Sequence, residues 1–165
     1  MLRTDLLPLI VTSVTLAAAQ PGDLPAVLDL LASSGLPLDG LVDHAHAIVV
    51  ARDGDRVVGC VALEVYPDGA LLRSLAVDAR CRDGGIGTRL VANLLRRASD
   101  LRVPAVYLLT TTADGYFPRF GFVETDRAAV PPGVRTSVEF QSACPASAIA
   151  MRFVTSSPSP SPQPR

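Results

Sequence analysis

The chain reads as a single α/β (α+β) domain with a mixed, mostly antiparallel central sheet flanked by helices, and three observations carry that expectation. Its 165 residues fit one compact domain able to bury roughly 70% of its unfolded surface without a disulfide or metal staple. Hydrophobic residues make up 48% and charged residues 19%, enough apolar material for a core and too little charge for a disordered chain. Apolar runs of strand length alternate with stretches at helical spacing, and close turns join neighbouring strands, which favours antiparallel pairing.

In order, Val11 to Ala18 reads as a first strand. Pro21-Gly22-Asp23 followed by Leu24, Val27, Leu28, Leu30 and Leu31 reads as a helix with Asp23 as N-cap and Gly35 as its stop. Ala47 to Arg52 and Arg56 to Tyr66 are strands around the turn Asp53-Gly54-Asp55, and Pro67-Asp68-Gly69 turns into a strand over Ala70 to Val77. Ile86 to Ser99 is an amphipathic helix, with Leu90, Val91, Leu94, Leu95 and Ala98 on one side and Arg89, Asn93, Arg96, Arg97 and Asp100 on the other. Ala105 to Thr110 is a strand and Ala113 to Arg119 a short helix. Phe122 to Thr125 and Ala148 to Val154 complete the sheet. The domain therefore spans residues 1–155, and 156–165, rich in Pro and Ser with no hydrophobe, forms a disordered tail.

Composition removes several functions. The net charge is −1 and no basic run occurs, although all 15 basic residues are Arg, so nucleic-acid binding is not expected. Leu6 to Ala19 loosely resembles a signal peptide, but Asp5 and Pro8 interrupt it and it is too short to span a bilayer. No membrane association is expected. Cys60, Cys81 and Cys144 are odd in number and widely spaced, which points to free thiols in the cytoplasm and to no metal site. His44 and His46 share one side of an extended segment but lack a third ligand; contact with a substrate at the lip is the alternative.

The sharpest local signal is Arg82-Asp83-Gly84-Gly85-Ile86-Gly87-Thr88, between a strand and an amphipathic helix. Glycines there let successive backbone N–H groups face one concavity while the helix N-terminus adds partial positive charge, a seat for phosphate. No Gly-Lys-Ser/Thr follows, so it is not a Walker loop, and G-x-G-x-x-G is absent. An ordinary glycine-rich turn is the competing reading.

Leu75-Ala76-Val77-Asp78, Arg82-x-x-Gly85-x-Gly87 and Ala113-x-x-x-Phe117-x-x-x-Gly121-Phe122, in this order, resemble the Gcn5-related N-acetyltransferase (GNAT) superfamily over roughly residues 13–154. The resemblance implies acetyl-CoA as cofactor. Its pyrophosphate would sit on Arg82, Asp83, Gly84, Gly85, Ile86, Gly87 and Thr88, its pantetheine along Leu75, Ala76 and Val77, with Phe117 as a further contact. Asp83 departs from the family pattern, placing an acidic group beside the phosphates. Leu71 to Val77, Leu108 to Ala113 and Glu139-Phe140-x-x-x-Cys144-Pro145-x-Ser147-Ala148 are similar to arsenic-resistance N-acetyltransferases, and Leu108 to Ala113 also to glutamate N-acetylating enzymes. Both imply a small acidic amine as acceptor, amino-acid-like or organoarsenical. An amino-acid N-acetyltransferase unrelated to arsenic and an inactive acyl-CoA-binding domain are the alternatives, and the family allows a homodimer.

Acetyl transfer to an amine needs a group to take the ammonium proton and one to protonate the thiolate. The positions where the superfamily often carries a Glu and a Tyr are Leu71 and Phe117 here; neither moves a proton. With Asp68-Gly69 as a two-residue turn, Tyr66 pairs with Leu71 and Glu64 with Arg73, all on the substrate face. Glu64 and Tyr66 are then the catalytic candidates and Arg73 a fork for a substrate carboxylate, against a structural ion pair as the alternative. Ser74, Thr110 and Thr111 are substrate-binding candidates, strand-end capping being the alternative for the threonines. Tyr116 is expected to pack, and Arg135 to reach an acidic substrate or remain solvated.

Overall fold

The computed structural model describes residues 13–155. Val11 and Thr12 of the expected first strand, and the expected tail 156–165, lie outside the described residues.

Among the described residues, seven strands form one sheet in the order β1-β2-β3-β4-β5-β7-β6. They are β1 (Val14–Ala18), β2 (Ile48–Asp53), β3 (Arg56–Tyr66), β4 (Gly69–Val77), β5 (Ala105–Thr110), β6 (Val123–Thr125) and β7 (Ile149–Val154). All neighbours are antiparallel except β4 and β5. That parallel step requires a crossover, and the helix over Ile86–Asp100 (α2) supplies it. Ile86, Leu90, Val91, Leu94 and Ala98 of α2 are buried against Val61, Leu63, Leu72 and Val106 on one sheet face, with Phe117, Phe122 and Met151. Gly59 lets α2 approach so closely; a Cβ there would stand 3.0 Å from Leu90 Cδ1 and 3.3 Å from the Ala76 carbonyl.

The opposite face is covered in two parts. The helix α1 (Leu24–Ser33) packs Val27 and Leu31 on Ile48, Val50, Cys60 and Ala62. Val130 and Val134, the latter in the one-turn helix α3 (Pro132–Arg135), cover Leu71, Ala105, Tyr107 and Ala150. Gly35 follows α1 as the expected stop. Asp23 is not the hydrogen-bonding N-cap. It ends a 3₁₀ turn over Pro21–Asp23, and its carboxylate reaches back to the Gln20 amide at 2.6 Å and pairs with Arg52. The capping device is one turn earlier than expected, and Arg52 holds the Asp23 carboxyl below the usual range.

The expected helix Ala113–Arg119 shrinks to a 3₁₀ turn at Phe117–Phe120, since Pro118 lacks the N–H an α-helix would use. The stretch 131–145, to which the sequence pattern assigns no element, carries α3 and a π-type turn over Glu139–Ala143. A 3₁₀ segment over Val42–Ala47 precedes β2 where extended chain was expected around His44 and His46.

The β3–β4 hairpin turns on Pro67-Asp68, not Asp68-Gly69. Glu64 therefore opposes Leu71, Tyr66 opposes Gly69, and Arg73 opposes Ala62. The expected register was off by two residues. An even slip leaves every side chain on its face, so Glu64, Tyr66, Leu71 and Arg73 still share one. Nearer Val77 the register shifts again: Ser74 and Leu75 stand against Val61 in a bulge, with Ser74 at φ +60°.

Candidate functional site

β4 and β5 pair only at Ala70–Val106 and Leu71–Tyr107. Beyond that point β4 runs on to Val77 through its bulge and β5 to Thr110, unpaired with each other. Their separation opens a cleft of about 830 Å³ through the sheet. One end meets the first turn of α2; the other meets the wall formed by Ser34 to Pro37, Arg73, Glu139, Ala143 and Cys144.

At the α2 end, Leu75, Ala76, Val77, Arg82, Asp83, Gly85, Ile86, Gly87, Thr88 and Phe117 all line the cleft, whereas Gly84 does not. Asp83 (φ +72°) and Gly85 (φ +78°) turn the chain so that the first amides of α2 face outward, and these have no carbonyl one turn back to bond. A Cβ on Gly85 would meet nothing within 4 Å, so the space before these amides is open. Arg82 and Arg119 line the same end, with exposed Asp83 as the one opposing charge among the described lining residues. Two cations, free amides and a helix N-terminus fit a pyrophosphate. Tyr116 reaches this end too: its Oη lies 2.9 Å from the Cβ position of Gly87, and Arg119 stacks 4.4 Å over its ring. It is a wall residue as well as a packing residue, which the short-helix expectation did not show. Phe117 is buried against Phe122, ring centroids 5.6 Å apart.

At the other end the charged groups are buried. Arg73 has a side-chain exposure of 0%. Its Nη1 donates to the Asp39 carbonyl at 2.8 Å and to Glu64 Oε2 at 3.3 Å, its Nη2 to the Pro37 carbonyl at 3.3 Å, and its Nε to Ser74 Oγ at 3.1 Å. Glu139 Oε1 lies 3.4 Å from Nε. Arg73 thus lines the cleft, but its guanidinium is committed to the protein. The expectation of an open fork for a substrate carboxylate is corrected on that ground. Glu64 (1% exposed) and Tyr66 are not in the cleft wall. Tyr66 Oη donates to Glu64 Oε1 at 2.7 Å, and burial with the Glu64 contact raises the Tyr66 phenol well above its ordinary range. Both sit behind Arg73, away from the cleft lining where a direct catalytic contact was expected. Thr110 and Thr111 line the cleft; the Thr110 hydroxyl accepts from the Ala113 amide at 2.9 Å, the capping alternative. His44 approaches Glu64 at 3.9 Å and not the cleft. Arg135 lies in a separate surface pocket with Arg127 and Phe140.

Glu139 is a cleft residue that the sequence did not single out as a candidate. It is 4% exposed, yet lines the cleft beside Cys144. Burial pushes its carboxyl up to about 7; Arg73 opposes this, Glu64 adds to it, and a hydrogen bond with Cys144 opposes it. Burial likewise pushes the Cys144 thiol up to about 11. The available signal was scarcity, as Glu139 is one of only three glutamates. A carboxyl raised in the fold binds a proton that the unfolded chain has shed between about 4.5 and 7. Glu139 therefore makes stability fall as pH rises through that window. Urea unfolding of Glu139→Gln should lose this slope between pH 5 and 8; an unchanged slope assigns it to other groups.

Residues 19–122 match the family model for the Acetyltransferase (GNAT) family. The chain is 35% identical over 122 residues to an amino-acid acetyltransferase of Mycobacterium tuberculosis, covering 68% of this chain and 70% of that protein. It is 32% identical over 95 residues to an amino-acid acetyltransferase of Photobacterium profundum, covering 56% of this chain but 21% of that protein. The fold matches N-acetylglutamate synthase from Neisseria gonorrhoeae, solved with coenzyme A and N-acetyl-glutamate, at a TM-score of 0.76 and 22% identity, covering 88% of this chain and 36% of that one. The chain thus spans well under half the length of some of these relatives.

Proposed function

We propose that this chain, which belongs to the acetyltransferase (GNAT) family, transfers acetyl from acetyl-CoA to the amino group of a small amino acid. The observation that carries this reading is the cleft through the sheet, with open helix amides and two arginines at one end and the buried Arg73–Glu64–Glu139 cluster at the other. Bound at the α2 end, acetyl-CoA would supply an activated acyl group on a good leaving thiol. Amides at the α2 N-terminus with Arg82 and Arg119 would hold its pyrophosphate, and Leu75 to Val77, on the edge of β4 that β5 leaves unpaired, would run beside its pantetheine. The acceptor enters from the opposite face, past Ser74, Thr111 and Cys144. Arg73 orders that wall by tying Pro37 and Asp39 to β4.

The names of the relatives support an amino-acid acceptor. Preference for an acidic one, and an organoarsenical acceptor, are narrower readings that Arg73, already bonded, does not favour. A reducing cytoplasm suits the three free cysteines, and no helix among the described residues is long and apolar enough to cross a membrane. An acyl-CoA-binding domain without catalysis is the second reading, favoured by Leu71 and Phe117 at the usual proton-transfer positions. A panel of acidic, neutral and organoarsenical amino acids, assayed by thiol release, tests both. Turnover with one or more amino acids is expected; cofactor binding with no release for any of them selects the binding domain.

A further inference from the structure

We propose that Glu139 accepts the proton from the acceptor ammonium, with Arg73, Glu64 and Tyr66 as positioning residues behind it; the assignment rests on the acetyl-transfer reading above. The cleft has two ends on opposite faces of the sheet. The anion seat lies on the α2 face, whereas Arg73 shares a face with Glu64 and Tyr66, and Glu139 meets Arg73 there. Among the described residues, an amine arriving from that side finds one carboxyl in the wall, that of Glu139.

No other titratable group among the described residues meets this position. Glu64 has both oxygens engaged, Oε1 by Tyr66 and Oε2 by Arg73, and is not in the wall. Leu71 and Phe117 carry no titratable group. Cys144 remains a thiol at neutral pH. His44 faces Glu64 from the 3₁₀ segment before β2, without lining the cleft. The groups facing Glu139 are Arg73 from β4, Glu64 from β3 and Cys144 just after its own turn. Tyr66 and His44 stand beyond Glu64, and Arg127 stacks on Phe140 next to it. Two carboxyls share one guanidinium, and the one in the wall is held near 7, where proton acceptance and return are both easy at neutral pH.

The step balances. The ammonium gives one proton to a Glu139 oxygen, and the freed nitrogen lone pair forms the C–N bond as the thioester C–S bond breaks. The nitrogen sheds a second proton on becoming an amide, and the departing thiolate takes it. Glu139 then returns its proton to water.

The test uses the full chain and Glu139→Gln, the isosteric change that leaves Arg73 bonded to Glu64, Ser74 and the two loop carbonyls. With only three glutamates, Glu64, Glu124 and Glu139, ¹³C-carboxyl labelling resolves each side chain. The signal missing in Glu139→Gln should titrate near pH 7 in the protein alone. Wild-type kcat/KM should rise through the same pH. In Glu139→Gln that limb should flatten and kcat fall roughly a hundredfold or more, while the CoA dissociation constant stays within about twofold. Glu139→Asp should recover part of the rate with the limb. A Glu139 signal titrating in the ordinary carboxylate range, or a variant keeping the wild-type limb and rate, overturns the assignment while leaving acetyl transfer standing. Absence of thiol release by the wild-type protein with every amine overturns both.

Discussion

Replacing Arg73 by Ala should destabilise the domain by about 3–5 kcal/mol, the loss expected when one partner of a buried ion pair is removed and the others stay. Arg73 is fully buried, and both Glu64 and Glu139 lie within 3.4 Å of it. Without the guanidinium, two buried carboxyls face each other with no cation. The Pro37 and Asp39 carbonyls also lose their donors. The same account predicts a rescue. Arg73→Met combined with Glu64→Gln and Glu139→Gln removes every charge of the cluster, and such neutralised clusters are often no less stable than the ionic ones. Urea unfolding at pH 7 should therefore place the triple variant well above Arg73→Ala. A single variant within about 1 kcal/mol of wild type would mean that the cluster is solvated, and the site geometry described above would fail with it.

The sheet was legible because its strands are punctuated. Asp53-Gly54-Asp55 and Pro67-Asp68-Gly69 bound β3 on both sides, and β3 runs over Arg56–Tyr66 as the pattern predicts. The heptad-like spacing of Leu90, Val91, Leu94 and Ala98 fixed the buried side of α2. What the pattern could not fix was the hairpin register, since Pro67-Asp68 and Asp68-Gly69 are both reasonable turn pairs. Because they differ by two positions in the pairing sum, the face assignment of Glu64, Tyr66 and Arg73 survived the error. The short helix at Ala113 failed for a local reason, Pro118.

For the site, legibility divided by range. Arg82 to Thr88 is a continuous segment whose function lies in its own backbone, so a motif could find it. Arg73 and Glu139 meet only because the π-type turn at Glu139–Ala143 folds back onto β4. No spacing encodes a contact between residues so far apart in the chain. The same distance hid what Arg73 bonds. Two of its partners are main-chain carbonyls of the α1–β2 connection, and main-chain partners leave no trace in side-chain patterns.

Gly85→Val should abolish the stabilisation of the domain by CoA. Gly85 sits at φ +78° as the N-cap of α2, where a β-branched residue is strained by about 1–2 kcal/mol, a drop of a few degrees in Tm for a domain of this size. That loss belongs to the protein alone and is measured without ligand. The second effect is separate: the valine side chain would stand in the open space before the first amides of α2, where the phosphates are expected. With CoA at 100 times its wild-type Kd, the wild-type protein gains about 2.7 kcal/mol, and the variant should gain almost none. Asp83→Asn should act in the opposite direction. Asn tolerates the φ of +72° at this position, and losing an exposed negative charge beside the phosphates should tighten CoA about two- to fivefold, less at high salt. Opposite signs from neighbouring residues are hard to obtain from general damage to the fold. An undiminished CoA shift in Gly85→Val, together with no salt-dependent gain in Asp83→Asn, would place the phosphates away from this loop.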